Sequence, residues 1–388
     1  IIMFIAKSDY TNPIEGLMFR IPFVLFCIKV LCSRYSLKDI LLMIILGGTA
    51  VIGYFINTRD EMVRIAVFLF AMKDIDVKHV LGMVYKLSVF AMALLAFMSL
   101  TGIFGKVLDP FVGYGFKEGT TRLALGVGNS NSLAIMIWAL MLLYIYLYHD
   151  RLNWKHYLFM TVLSVATYFA TLTRTTLAIM FLSIFGAYLL QNIKCLRKAK
   201  ILYICGGLVI IAAVGFSAWA AKVSDWHEFL SPGVARLNNI LTGRIEVISR
   251  FEDGGGRLSN WKWFSAPWAD DYFDMGYVRL FFWYGIIPGS ISIIMILMSI
   301  RESYRKRDHM GFMMIMMFGI FTVIEAHIVS VYIARNYVLF LMGAYMTTML
   351  LKRSSKDEGT SKEFIRPPEE YLWRFYTLPG ADKGQKRI

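Results

Sequence analysis

A bilayer core of about 30 Å takes roughly 20 apolar residues to cross as helix, and this chain repeats runs of that length almost from end to end. Such runs fall near residues 17–32, 39–57, 60–72, 77–104, 123–148, 156–171, 175–191, 200–221, 276–300, 310–328 and 333–351. They predict an all-α polytopic transmembrane helix bundle of about eleven spanning helices. The run at 60–72 is short and carries Arg64, so it is expected either to tilt and half-insert or to lie at the interface. Composition agrees: 57% of the 388 residues are hydrophobic and 18% are charged, against about 25% charged in soluble domains.

The net charge of +14 is read in this setting as basic cytoplasmic loops facing anionic headgroups, not as a nucleic-acid surface. Lysine and arginine concentrate in the connections near 34–38, 73–78, 151–155, 194–200 and 301–307, and are sparse near 59, 106–122, 174 and 335. By the positive-inside rule the first set is cytoplasmic. The chain then divides into an integral membrane domain at 1–351 and a basic cytoplasmic tail at 352–388, with the stretch 222–275 as one large extracytoplasmic loop. Loops of that length are usually functional. The four cysteines, Cys27, Cys32, Cys195 and Cys205, fall in helices or a cytoplasmic loop, so neither a disulfide nor structural zinc is expected. The opening Ile1 to Ala6 turns polar at Lys7 and is too short for a signal peptide.

Arginines on the outer side are the candidates for chemistry. Arg122 and Arg174 lie at membrane boundaries, Arg244 in the large loop, and Arg335 near a helix start. A guanidinium at membrane depth is costly and needs a partner or a polar cavity. It holds phosphate by planar, permanently charged, bidentate bonds, although any one of these arginines taken singly more often snorkels to headgroups or pairs with an aspartate. Asn129 and Asn131, read as lying within an apolar helix, either line a polar cavity or lock helix packing. Thr171-Leu172-Thr173-Arg174 is a very short turn whose rigidity suits an anion clamp. Asp274 stands at the mouth of a helix among apolar neighbours, where it acts either as a proton acceptor or as a helix N-cap. Asp270 and Asp271 are spare carboxylates that could instead hold a divalent ion. Trp226, Trp261, Trp263 and Trp268 suit stacking on sugar rings or an interfacial aromatic belt. His227 and His327 have no assigned partner.

On these residues the chain resembles the O-antigen polymerase and ligase family of bacterial envelope enzymes, over most of its length and in helix order. The Arg122 segment is similar to the family's Arg-Gly-Asn-rich helix start, and Thr173-Arg174 stands where the family tends to have Ser-Arg. Leu241-Thr242-Gly243-Arg244 resembles its Leu-Ser-Gly-Arg, with ten residues between Arg244 and Gly255. Asp274, Tyr277 and Gly285 resemble its His/Asp, Tyr, Gly pattern, and aspartate in place of the ligases' histidine favours polymerase over ligase. The resemblance implies a glycosyltransferase in the bacterial cytoplasmic membrane that joins polyprenyl-pyrophosphate-linked oligosaccharides, needs no cofactor or metal, and works beside flippase and chain-length regulator proteins. It implies Arg174, Arg244 and Asp274 as catalytic, with Arg122, Asn129, Asn131, Arg250, Tyr277 and Trp263 as substrate contacts. A ligase, or an exporter of lipid-linked sugars built around Glu325 deep in a helix, are the alternatives.

Overall fold

The computed structural model describes residues 15–110, 119–224, 231–250, 255–269, 271–326 and 336–349. The expected tail, 352–388, lies outside the described residues, as do Arg335, His327, Asp270, Trp226 and His227.

The described chain is helical apart from one small antiparallel pair, β1 (Leu108–Pro110) with β2 (Thr121–Leu123). Its helices in chain order begin with α1 (Glu15–Leu31), α2 (Leu37–Asn57), α3 (Glu61–Ala71), α4 (Val77–Leu100), α5 (Ser130–Tyr148) and α6 (Trp154–Thr171). They continue with α7 (Arg174–Asn192), α8 (Lys194–Lys198), α9 (Lys200–Val223), α10 (Pro232–Ile240) and α11 (Arg244–Val247). The last are α12 (Gly276–Tyr284), α13 (Ile286–Arg305), α14 (His309–Phe321) and α15 (Val338–Met349). Among the described residues, six segments are long and apolar enough to cross a membrane: α2, α4, α5 with the turn to Arg151, α7, α9 and α13. The chain is therefore a multi-pass membrane protein by the length and composition of its helices.

Polar residues set where these helices begin. Ser36 and Asn153 close capping boxes on α2 and α6, and the carboxylates of Asp76 and Asp308 accept from first-turn backbone amides of α4 and α14. Helix α5 is the axis of the bundle: Trp138, Ala139, Leu142, Leu143 and Ile145 are fully buried, and it packs on α4, α6, α7 and α14. Helices α2 and α4 instead expose wide apolar faces, including Leu41, Ile44, Phe55, Phe90 and Phe97. Exposed leucine and phenylalanine on that scale are tolerable only where hydrocarbon replaces water.

Several boundaries differ from the hydropathy runs, each for a local reason. The run at 123–148 starts as strand β2 and a turn with positive φ at Leu125, Gly126 and Gly128, so helix begins only at Ser130. The run at 77–104 ends as helix at Leu100, and 60–72 shortens to the 11 residues of α3, about 16 Å of helix, too little to cross unaided. The run at 276–300 is two helices broken at Gly285, whose φ of 101° only glycine adopts freely. A Cβ there would also sit 2.6 Å from the Trp263 carbonyl oxygen and from Phe264 Cα. The run at 310–328 ends as helix at Phe321, followed by a turn that carries Glu325.

Candidate functional site

Asn238 organises the first wall of the site. Its side-chain oxygen accepts from the backbone amides of Ile245 (3.1 Å) and Glu246 (3.3 Å), and its backbone carbonyl accepts from Gly243 N at 2.8 Å. These bonds tie the end of α10 to the start of α11 and force two successive left-handed residues between them, Thr242 (φ 56°) and Gly243 (φ 82°). Glycine takes that conformation without strain, whereas threonine pays for its β-branch there. The product is a fixed Arg244 at the first position of α11, its side chain about 10% exposed.

The second wall is a contact between backbones. Gly276, the first residue of α12, donates its N–H to Thr322 O at 2.9 Å in the turn after α14. A Cβ at Gly276 would meet Glu325 O at 2.7 Å and Thr322 O at 2.8 Å, so only glycine permits the approach. The approach sets Asp274, two residues before Gly276, beside Glu325. Asp274 is not an N-cap, since Met275 holds that position and the helix start has no side-chain cap.

Arg244 joins the walls. Its Nε donates to Ile324 O (2.9 Å), Nη1 to Leu241 O (3.1 Å) and to the Thr242 hydroxyl, and Nη2 to Glu325 Oε1 (3.0 Å). Nη2 also lies 3.8 Å from Asp274 Oδ2. One cation thus stands between two carboxylates of unlike surroundings: Asp274 is 44% exposed and Glu325 14%. Glu325 lies in the turn past α14, outside the spanning helices; burial, with Asp274 adding to it and Arg244 opposing, pushes its carboxyl up to about 7. Two carboxylates in such unlike surroundings can divide donor and acceptor roles between them. Among the described residues no group of three or more His, Cys, Asp or Glu side chains is placed to hold a metal.

Arg279, which hydropathy hid inside a spanning run, is fully buried one turn into α12. Its guanidinium stacks on Tyr272 at 3.8 Å and Trp283 at 4.6 Å and bonds the Phe273 carbonyl. Arg59 stacks on the same Trp283 ring at 4.4 Å and donates to Ala269 O at 2.7 Å. These cation–π contacts fix both sides of the strand of chain that carries Asp274. Its basic residue inside an apolar run was the available signal for Arg279; nothing local marks Asn238.

The other expected site residues go elsewhere. Arg122 is 6% exposed and pairs with Asp109 at 2.9 Å across β1 and β2, while Asn131 Oδ1 accepts from it at 3.4 Å. Asn129 lies outside the helix as the N-cap of α5, accepting from Ser132 N at 2.7 Å, and Asn131 stands in its first turn, so neither interrupts the apolar body of the helix. Tyr277, expected as a substrate contact, is fully buried and donates its hydroxyl to Gly319 O at 2.9 Å, joining α12 to α14. Arg250 is exposed and paired with Glu246 at 2.9 Å. Arg174 is exposed at the first position of α7, after the left-handed Leu172. Trp263 is exposed on a groove it shares with Ile56, Trp261, Phe264, Pro267 and Ile286. The backbone carbonyl of Asp271 accepts from Trp283 Nε1 at 2.9 Å.

Compared with family models, curated proteins and solved structures, the chain matches none.

Proposed function

We propose that this protein is a membrane glycosyltransferase that polymerises polyprenyl-pyrophosphate-linked oligosaccharide repeat units on the outer face of the bacterial cytoplasmic membrane, for capsule, exopolysaccharide or O-antigen. In this reading the bundle spans the bilayer about eleven times, counting short and broken helices. The segment 222–275 is its extracytoplasmic loop, and the charge bias of the connections sets the orientation.

The observation that carries the reading is the exposed Asp274 carboxylate held 3.8 Å from a buried arginine. The hydroxyl at the non-reducing end of one glycan attacks the anomeric carbon of the other. Its proton passes to Asp274, the anomeric carbon–oxygen bond breaks, and the electron pair leaves with the polyprenyl pyrophosphate. Arg244 stabilises the charge that develops on that leaving group. Arg174, exposed and rigidly placed, grips the diphosphate from the lipid side, and Trp263 offers an aromatic face to a sugar ring. Arg122, Asn129, Asn131 and Tyr277 support the scaffold. The exporter reading loses its main residue, because Glu325 lies past the end of α14 in an ion pair with Arg244.

Incubating the purified protein with a synthetic lipid-linked repeat unit tests the reading. Wild type is expected to build a ladder of products, and Arg244→Ala to leave single units on the lipid. A normal ladder from stably folded Arg244→Ala removes Arg244 from the site, and no ladder from wild type sinks the polymerase.

A further inference from the structure

Arg244 is already occupied. A guanidinium has five N–H donors, and here Nε and both Nη1 positions are bonded to Ile324 O, Leu241 O and the Thr242 hydroxyl, while Nη2 is bonded to Glu325 and faces Asp274. The three contacts on Nε and Nη1 are with neutral oxygens that hold the side chain in place. Only Nη2 is engaged by carboxylates, and only that edge borders the exposed Asp274. With both carboxylates ionised, two negative charges crowd the Nη2 edge of Arg244, and that edge attracts an incoming diphosphate less than it would with one of them neutral.

We propose that Glu325 is a positioning residue that competes with substrate for Arg244: ionised, it occupies Nη2, and neutral, it yields that edge to the diphosphate of a lipid-linked glycan. This rests on the reading of Arg244 as the diphosphate-holding group. The charged groups that face Glu325 are Arg244 on α11 and, from the chain entering α12, Asp274, with Arg279 behind it. Burial and repulsion from the neighbouring Asp274 carboxylate both disfavour the charge on Glu325. A glutamate that only braced the fold would show the opposite consequence, because removing its charge would loosen Arg244 and weaken anion binding.

The test uses the full chain in detergent with inorganic pyrophosphate as probe, by calorimetry at pH 8. Glu325→Gln keeps an accepting oxygen for Nη2 without the charge, and is expected to bind pyrophosphate roughly tenfold tighter than wild type. In the Arg244→Ala, Glu325→Gln double variant that gain disappears. Equal or weaker binding by Glu325→Gln, or a gain that survives loss of Arg244, overturns the proposal. Inorganic sulfate, whose charge is constant between pH 6 and 8, supplies a measurement on wild type alone. Its binding is expected to weaken as pH rises across that range, and a flat profile overturns the proposal as well. Polymer formation is scored separately: the anion behaviour without polymer retains Glu325's role and sinks the polymerase, and polymer without the anion behaviour does the reverse.

Discussion

Two of the buried arginines among the described residues, Arg122 and Arg244, meet aspartates, and they differ in every respect that matters for chemistry. Arg122 and Asp109 face each other across a two-stranded ribbon 13 residues apart in sequence, one cation to one anion. The Asp109 carboxylate also accepts from Ser130 N (3.1 Å) and Ser130 Oγ (3.0 Å), so it ties β1, β2 and the start of α5 into one closed unit. Arg244 meets Asp274 and Glu325 from parts of the chain that are distant in sequence, it faces two carboxylates, and one of them stays open to solvent. Balanced and locally closed ion pairs stabilise; unbalanced ones with an open edge are poised to take a ligand or a proton. By that contrast the proposed reading keeps Arg244 in the site and moves Arg122, expected from sequence as a substrate contact, to the scaffold.

The contrast breaks most visibly if the two are truncated in parallel. Arg122→Ala strands a partly buried Asp109 and is expected to cost about 3–5 kcal/mol of stability, read as a large fall in melting temperature, with polymer still formed below the new midpoint. Arg244→Ala is expected to lose polymer with a smaller fall, recovered on acidification because Glu325 can take up a proton. Equal melting losses for the two variants would erase the distinction.

Gly276→Ala comes next. The new methyl group meets two backbone carbonyl oxygens that cannot move aside, so the start of α12 must shift away from Glu325. A loss of about 1–3 kcal/mol is expected, with a fall in activity larger than Arg122→Ala shows at matched stability.

A smaller effect lies in pH. The Glu325 carboxyl is raised to about 7 from an ordinary 4.5, so its favourable contribution to folding is complete below the ordinary value and is lost as pH climbs through about 7. The melting temperature of wild type should therefore drop between pH 5 and 8, and Glu325→Gln should flatten that drop. A wild-type profile that rises over the same range contradicts the charge assignment. Smallest of all, Arg250→Ala removes an exposed i,i+4 pair with Glu246 and should change stability by less than about 0.5 kcal/mol.

The helix class was legible because a bilayer leaves the backbone no other way to satisfy its hydrogen bonds, so stretches such as 200–221 and 39–57 announce themselves by length and apolarity alone. Boundaries were less legible. At 123–148 hydropathy ran through Leu123 to Val127, which are apolar but held in a ribbon and turn by β1, a partner that composition does not reveal. Of the site, Arg244 and Asp274 were visible as charged residues where few belong. Glu325 drew notice only as a charge deep in an apolar run, and nothing in the motif that singled out Tyr277 foretold that its side chain is fully buried.

Sequence by itself determined that this chain crosses a membrane as helices, because the requirement for some 20 apolar residues per crossing acts locally and needs no partner. Only the tertiary structure decided which charges face one another. Arg244 and Glu325 stand 81 residues apart, and their pairing depends on Asn238 turning one segment and on Gly276 letting another come close. Long-range contacts of that kind are set by packing, which residue types alone do not specify.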